Sequence, residues 1–227
     1  MKFRSFVSIG LAIFFLGSCA KDNSLRVTTN TFANKEIIPH GFKKGSSFSI
    51  STKQKGDPLF TKEVSQKIAT ILKDKGFVVK ANGDADYELN FSFGMEKSIH
   101  VRDVPVYIPD YGCWHYHSCH GCCGCGYGYR VAYVPEEYTL FNKILLIEVF
   151  KETGLVSKER IPVWQGTAQG YEENSDLRDG VDYLLITVFK NFGKNTQKYV
   201  KSRMEKNDES VTRLRQRYFQ PVGYQEK

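Results

Sequence analysis

The sequence has no hydrophobic run long enough to cross a membrane as a helix. The one stretch that approaches such a length, residues 5–17, has 13 residues, whereas a transmembrane helix needs about 20. The sequence also lacks the glycine period of collagen and the sustained heptads of a long coiled coil. These absences argue against a polytopic helical membrane protein and a fibre. A length of 227 residues with 25% charged side chains is typical of one folded domain.

Catalytic signatures are absent as well. The sequence contains no Gly-x-Ser-x-Gly, no His-Glu-x-x-His and no phosphate-binding Gly-x4-Gly-Lys-Ser/Thr motif. A thiol oxidoreductase of the Cys-x-x-Cys type needs a helix N-terminus to lower the pKa of its attacking thiol. The glycines between the cysteines of this chain disfavour a helix there. We therefore expect a protein that is not an enzyme.

The short apolar stretch has the features of an export signal. Lys2 and Arg4 precede it, and Leu16-Gly17-Ser18-Cys19 follows it, which resembles the lipobox of bacterial lipoproteins. Two small residues fit the narrow groove of the signal peptidase, and the cysteine thiol accepts a diacylglyceryl group. We therefore expect residues 1–18 to be removed as a lipoprotein signal peptide and Cys19 to be lipidated and also acylated, for example with palmitate, at its freed amine. An ordinary signal peptide with a chance cysteine, or an uncleaved anchor, is the alternative.

The expected cellular location of the protein follows from the residue after the lipidation site. Residue 20 is alanine and not the aspartate that resembles an inner-membrane retention signal. We expect the protein at the outer membrane, lipid-anchored on the periplasmic face, with residues 19–45 as its lipidated N-terminus and tether.

The net charge of +7 comes largely from the C-terminal part of the chain. Residues 194–217 carry eight lysines and arginines against three acids. A pI near 9 is also typical of proteins that bind nucleic acid, but an exported protein rarely meets any, so we expect no nucleic-acid partner. Residues 194–227 are predicted to be a basic, helical extension that contacts anionic lipid, lipopolysaccharide or an envelope protein. A solvated helix face is the alternative.

Between these ends, the hydrophobic patterning predicts an α+β domain over residues 46–193. Asp57-Pro58 begins a helix that ends at Lys75-Gly76, and a second helix runs from Asn174-Ser175 to about Phe192. The first helix has one apolar face, made of Leu59, Val64, Ile68, Ile71 and Leu72.

Strand patterns accompany these two helices. Tyr87–Phe93 alternates strictly, Tyr138–Phe150 is apolar enough for a central strand, and Leu25–Phe32 is typical of an edge strand. The predicted fold is a small, mostly antiparallel or mixed sheet with two main helices on one face. A long Cys/Gly/Tyr-rich loop, residues 102–136, separates two of its strands. Trp164 is expected to pack in the core.

Four short motifs follow one another in a recognisable order. They are Lys75-Gly76-Phe77, Ala85-Asp86, Thr153-Gly154 and Trp164-Gln165-Gly166. Their order resembles a family of bacterial lipoproteins that carry the uncharacterised periplasmic domain of unknown function 4136, over residues 48–192. The resemblance implies a sheet with helices on one face and an envelope address. The family supplies no established activity and no catalytic residues, and the Cys-rich loop and the basic tail depart from its pattern.

The loop contains every cysteine except Cys19, together with three of the five histidines. The candidate metal ligands are Cys113, His115, His117, Cys119, His120, Cys122, Cys123 and Cys125. The overlapping Cys-x-x-Cys spacings and soft ligands suit Zn(II) or Cu(I). Disulfides are a second interpretation, because the periplasm is oxidising and five cysteines allow at most two internal bridges. A Gly- and Tyr-rich loop with incidental cysteines is the third.

The function predicted from the sequence is that of a lipid-anchored bacterial envelope lipoprotein. We expect a non-enzymatic structural or adaptor role at the outer membrane, with no cofactor. The alternative is a periplasmic metal-binding lipoprotein that holds Zn or Cu with the cysteine and histidine cluster at 113–125.

Overall fold

The structure is a computed structural model, which describes residues 24–52, 57–80, 84–110, 128–153 and 159–219. The elements in these ranges are, in chain order, β1 (Ser24–Ala33), β2 (Ser47–Thr52), α1 (Pro58–Asp74), β3 (Val78–Val79), β4 (Tyr87–Asp110), β5 (Gly128–Thr153), β6 (Glu159–Glu172), α2 (Leu177–Lys190), β7 (Val200–Glu205) and α3 (Glu209–Phe219). No helix among the residues that the structure describes is long and apolar enough to span a membrane.

The strands form one mixed sheet in the order β3-β2-β4-β5-β6-β1-β7. Strand β2 runs parallel to β3 and to β4, and every other neighbouring pair is antiparallel. The parallel step from β2 to β3 is made by α1, because parallel neighbours need a crossover connection. β4, β5 and β6 follow one another as antiparallel neighbours.

The core lies between one face of the sheet and the helices. Alternate residues of β4 and β5 point to this face, including Leu89, Phe91, Leu145 and Ile147, and all four are buried. Helix α2 covers them with the fully buried side chains of Val181, Leu184, Leu185 and Val188. The opposite face is not covered by the described helices, as the exposed Arg26 and Gln165 on it show.

The predicted fold class is wrong in the size of the sheet and in the number of helices. The described residues form seven strands and three helices, about 52% strand and 25% helix. Strand β1 is not at an edge, because β6 and β7 flank it on both sides. Strand β7 escapes a hydrophobic pattern search since Lys201 and Arg203 occupy its uncovered face and only Met204 is buried.

The predicted loop over residues 102–136 is also wrong at both of its ends. Strand β4 continues to Asp110 and β5 begins at Gly128, and the two strands pair throughout. Three prolines within these strands conceal the strand pattern, because proline normally argues against a paired strand. The division of the chain at residue 193 into a domain and a basic extension stays a prediction, and the described part of 194–227 contributes β7 and α3.

Helix α1 is confirmed at both ends. The Asp57 carboxylate accepts hydrogen bonds from the backbone N–H groups of Leu59 and Phe60, at 2.9 and 3.3 Å. Gly76, at φ +84°, ends the helix in the left-handed conformation that glycine adopts readily. The predicted burial of Leu59 is wrong, since it is exposed, and Phe60 takes its place in the core against Phe93, with ring centroids 4.7 Å apart.

The Ala85-Asp86 motif joins the start of β4 to β2. One Asp86 carboxylate oxygen accepts hydrogen bonds from the Ser47 backbone N–H at 2.7 Å and from the Ser47 hydroxyl at 2.8 Å. The bond from the backbone N–H, followed by the bond from the hydroxyl, lowers the pKa of Asp86 below its usual value. The carboxylate therefore fixes the register at which the parallel pair of β2 and β4 begins.

The Trp164-Gln165-Gly166 motif has a packing explanation. Trp164 is buried, as predicted, and its indole N–H donates to the backbone carbonyl of Lys194 at 3.1 Å. Its ring lies over Gly166, where a Cβ would stand only 2.4 Å from Cη2 of the tryptophan and 2.7 Å from a methyl of Val188. Glycine at 166 therefore makes room for the ring and for α2 together.

We expect Gly166→Ala to lower the free energy of unfolding by about 1–3 kcal/mol, because the Trp164 ring or α2 must move to admit a methyl group. Urea denaturation followed by tryptophan fluorescence measures the change. Gly94→Ala is the matched control, since no atom lies within 4 Å of the added Cβ at this other strand glycine, and it is expected to change the value by about 0.5 kcal/mol or less. Equal effects at the two glycines would contradict the packing explanation.

Candidate interaction surface

Strands β4 and β5 extend together well beyond the rest of the sheet. Strand β2 pairs with β4 only as far as Phe91, and β6 pairs with β5 only from Phe141 onward. Residues 97–110 and 128–140 are therefore paired with each other alone, and we call this two-stranded segment the arm. At about 3.3 Å per residue, its 14-residue strand is roughly 45 Å long.

The part of the arm nearest the sheet is polar. The Arg102 guanidinium donates to Glu136 at 2.9 Å and to Glu173 at 3.5 Å, and it lies over the ring of Tyr138, 4.9 Å from the centroid. The hydrogen bond to Glu136 raises the pKa of Arg102. These contacts tie the two strands together and connect the arm to the residue that follows β6.

The far part of the arm is almost without charge. Residues 104–109 and 129–135, which we call the distal half, include a single charged residue, Arg130. The pairing register places seven of these residues on one face, which is the continuation of the helix-covered face of the sheet. This tyrosine face consists of Pro105, Tyr107, Pro109, Tyr129, Val131, Tyr133 and Pro135.

The tyrosine face is open to solvent in the absence of a partner. Tyr107, Tyr129 and Tyr133 are 67%, 73% and 69% exposed. The opposite face of the distal half carries Val104, Val106, Ile108, Ala132 and Val134 beside Arg130. An isolated two-stranded hairpin is at best marginally stable in water, and a continuous exposed apolar surface usually marks an interaction site. The distal half is therefore the candidate interaction surface of the protein.

Three prolines in the distal half share one position in the pairing pattern. A row of the arm is a pair of residues that lie opposite each other on β4 and β5. Every second row has its side chains on the tyrosine face, and these rows include Pro105, Pro109 and Pro135. Because proline has no N–H, these are rows in which the backbone nitrogen points away from the partner strand, toward the open edges of the arm. Prolines at open edges block the addition of another strand.

The base of the arm is held by a buried lysine. Lys143 lies opposite Met95 on the core face, is fully buried, and donates to the Glu172 carboxylate and to the Asp176 backbone carbonyl. Its alkyl chain passes so close to Gly180 that a Cβ there would stand 2.3 Å from Cδ. The lysine thus joins β5 to the end of β6 and to the N-terminal turn of α2.

A second buried group of charges joins the three helices. Asp182 of α2 accepts from Lys67 of α1 and from Arg215 of α3, both at 2.7 Å. Lys67 also pairs with Glu63, and Arg215 also pairs with Asp179. A shallow pocket of about 260 Å³ opens over this network. Each charge in it is paired with an opposite one, so the network is suited to holding the helices together.

Several arginines of the predicted basic tail form ion pairs with other residues of the chain. Arg215 belongs to the network between the helices, Arg217 pairs with Asp74 of α1, and Arg213 pairs with Glu209 on its own helix. Lys201 and Arg203 lie on the uncovered face of the sheet. The predicted contact of this segment with anionic lipid, lipopolysaccharide or an envelope protein stays a prediction.

The residues that the sequence analysis chose as sites lie outside the described ranges. This holds for the lipidation site, Cys19, and for Cys113, His115, His117, Cys119, His120, Cys122, Cys123 and Cys125. Among the residues that are described, no group of three or more histidine, cysteine or acidic side chains is arranged to hold a metal ion. Lipidation, metal binding and disulfide formation stay predictions. Residues 111–127 connect the two strands of the arm.

The sequence analysis did not find the tyrosine face. The signal was present in residues 104–109 and 129–135, which are rich in valine and tyrosine. The prolines, and the cysteine- and glycine-rich stretch between the two segments, led to the interpretation as a loop.

Comparison with known proteins gives one family and several solved structures of low sequence identity. The sequence matches the domain of unknown function (DUF4136) over residues 30–192. A crystal structure of a PDZ domain protein from Parabacteroides distasonis has 13% identity and a TM-score of 0.42, with 82% of this chain and 40% of that chain covered. A DUF4136 family protein from Bacteroides thetaiotaomicron has 15% identity and a TM-score of 0.40, with 75% of this chain and 96% of that chain covered. No curated protein matches the sequence.

Proposed function

The chain belongs to the DUF4136 family, as the order of its four motifs predicts, and from this premise we propose that it is a lipid-anchored envelope protein that acts through an interaction surface. Family membership brings no known activity, because the domain is one of unknown function. The proposal therefore depends on features of this chain. We place the lipid on Cys19 and the protein at the outer membrane, on its periplasmic face, in a structural or adaptor role.

The main support for the proposal is the short stretch of chain between the lipobox and the first strand of the sheet. Strand β1 begins at Ser24 and lies inside the sheet between β6 and β7. Only four residues lie between Cys19 and Ser24, and this stretch of chain spans about 17 Å from Cα to Cα when fully extended. A lipid on Cys19 would hold this end of the sheet close to the membrane surface. Two or more acyl chains are needed for stable anchoring, which the chemistry of lipoproteins provides.

The arm supports an adaptor role over an enzymatic one. The distal half of the arm is exposed and carries a single charge, which is a costly feature for a protein in water, because apolar surface is best buried. Such a surface is suited to docking. The buried ionisable groups that the structure describes, Lys143 and the charges between the helices, are engaged in ion pairs that stabilise the fold.

We expect globomycin, an inhibitor of the lipoprotein signal peptidase, to make the precursor of the full-length protein accumulate. The precursor is larger than the mature form by residues 1–18, a difference that a gel or intact mass resolves. Cys19→Ser is the control, since it removes the lipid acceptor and with it the response to the inhibitor. Processing that continues unchanged in globomycin would contradict lipidation at Cys19.

A further inference from the structure

We propose that the arm docks on the lipid bilayer that holds the Cys19 lipid, with the tyrosine face of its distal half at the boundary between headgroups and acyl chains. This inference rests on the proposed function, because the lipid anchor determines which surface the arm meets. It goes beyond that function by naming the partner of the candidate interaction surface as lipid.

The arm leaves the sheet in the direction of the proposed lipid anchor. Four strands contribute to a single row across the sheet, in which Glu96, Asn142, Tyr171 and Arg26 are successive partners. From Glu96 in this row, β4 continues toward Asp110 and forms the arm. From Arg26 in the same row, β1 extends in the same direction back to its first residue, Ser24. The arm and the start of β1 therefore leave the sheet at the same end, which is the end that Cys19 precedes.

The arm is also much longer than the stretch of chain between Cys19 and β1. Ser24 lies two residues beyond that row, and Asp110, at the far end of β4, lies 14 residues beyond it. The arm thus extends past the start of β1 by about 40 Å, at roughly 3.3 Å per residue. The four residues that link Cys19 to Ser24 allow at most about 17 Å between the two Cα atoms. A lipid anchored on Cys19 brings the bilayer within reach of the arm, so the arm either enters the interface or lies along it.

The side chains of the tyrosine face are suited to the membrane interface. Tyrosine has an apolar ring and a polar hydroxyl, and it is enriched where headgroups meet acyl chains. The tyrosine face carries three such side chains, with Val131 and three prolines, and no charge. Arg130, on the opposite face, is left at the level of lipid phosphates. The charged residues Arg102, Asp103, Glu136 and Glu137 lie nearer the sheet, on the water side of this boundary, and Asp110 ends β4 beyond the tyrosine face.

The prolines favour lipid over a second protein strand. Pro105 and Pro109 remove two N–H donors from the open edge of β4, and Pro135 removes one from β5. A strand from another copy of the chain would lose these hydrogen bonds. Unpaired backbone donors are also costly in an apolar medium, so their removal lowers the cost of contact with lipid. The remaining edge groups are satisfied by water and headgroups when the arm stays at the interface.

The test measures binding of the unlipidated mature chain, residues 20–227, to phosphatidylethanolamine/phosphatidylglycerol vesicles by co-sedimentation. The arm variant is Tyr129→Ser with Tyr133→Ser. The matched control is Tyr171→Ser with Tyr199→Ser, two tyrosines that are 50% and 68% exposed outside the arm. We expect the arm variant to lose at least tenfold in partition coefficient and the control to stay within twofold of wild type. All four side chains are exposed, so the variants should fold, and circular dichroism checks this.

The outcomes separate lipid docking from its alternatives. Binding through the tyrosine face persists at 0.5 M salt, whereas binding through Lys201 and Arg203 would be screened. Equal losses in the two variants, or loss of wild-type binding in salt, would overturn the proposal. A dimer in analytical ultracentrifugation that the arm variant abolishes, without vesicle binding, would assign the surface to a second copy. Because the chain in this test has no lipid, its result is independent of the globomycin experiment.

Discussion

Replacing Asp182 with alanine is expected to lower the free energy of unfolding by about 3–5 kcal/mol, one of the two largest effects predicted for any single side chain here. Asp182 is only 2% exposed and is the one residue of its network that bonds both to α1, through Lys67, and to α3, through Arg215. Its loss removes two charge-assisted hydrogen bonds, each worth about 1.5–3 kcal/mol. Urea denaturation monitored by circular dichroism measures the change.

A matched control uses the same pair of helices. Asp74→Ala removes an ion pair with Arg217 that also joins α1 to α3, but both of its side chains are about half exposed. An exposed pair contributes about 1 kcal/mol or less. The double variant Asp182→Ala with Arg215→Ala should lose less than the sum of the single losses, because the two side chains share a bond. Additive losses, or equal losses for Asp182→Ala and Asp74→Ala, would mean that the buried network does not hold the helices together.

Lys143→Ala is the second change with a large expected effect, again about 3–5 kcal/mol. The fully buried ammonium group has two acceptors, the Glu172 carboxylate and the Asp176 carbonyl, and both lose their partner. The alkyl chain also fills the space beside Gly180, so alanine leaves a cavity. The loss should be largest for the elements that Lys143 joins, which hydrogen exchange at the base of the arm detects.

Two further variants separate the charge of Lys143 from its volume. Lys143→Met keeps most of the packing and removes the ammonium group, so a loss close to that of alanine assigns the effect to the ion pair. Lys97→Ala, at an exposed position of the arm, is the control and should change stability by about 0.5 kcal/mol or less. If Lys143→Ala proves as mild as Lys97→Ala, the lysine has no part in fixing the arm to the sheet.

The sequence predicts the parts of the fold whose signals are local. Helix α1 is found to within a residue at each end because Asp57, Pro58 and Gly76 each have a specific role at a helix terminus. The alternation in Tyr87–Phe93 finds the start of β4 because one face of that segment packs against the core, with Leu89 and Phe91 buried and Tyr87 and Phe93 partly buried.

The elements that were missed or predicted without bounds are those whose signals depend on distant partners: strand β7 was missed, and helix α3 was predicted only as part of a helical extension over residues 194–227. Strand β7 and helix α3 contribute few buried side chains, Met204, Val211 and Leu214, so their patterns are weak. Their positions depend on pairing with β1 and on ion pairs with α1 and α2. In the arm, each strand is buried on neither face, and the local pattern lacks the contrast between apolar and polar residues on which strand prediction depends.

The candidate interaction surface and the predicted metal ligands belong to neighbouring segments of the chain, and metal binding at 113–125 stays a prediction because those residues lie outside the described ranges. The sequence analysis chose the cysteines and histidines of 113–125 because their chemistry is distinctive. The structure describes the strands on either side of them and makes Tyr107, Tyr129 and Tyr133 the exposed surface. Their importance follows from register, since only the pairing of β4 with β5 brings them to one face.

The docking of the tyrosine face on the bilayer is tested most directly by locating the arm relative to the membrane in the lipidated protein. Full-length protein, processed in a bacterial host, is reconstituted into vesicles that contain brominated lipids, which quench nearby tryptophans. A tryptophan is introduced either on the tyrosine face, by Tyr133→Trp, or on the uncovered face of the sheet, by Tyr171→Trp. We expect strong quenching of the tryptophan at 133 and little at 171, after subtraction of the parent protein's signal. Equal quenching at the two positions, or none at 133, would contradict it.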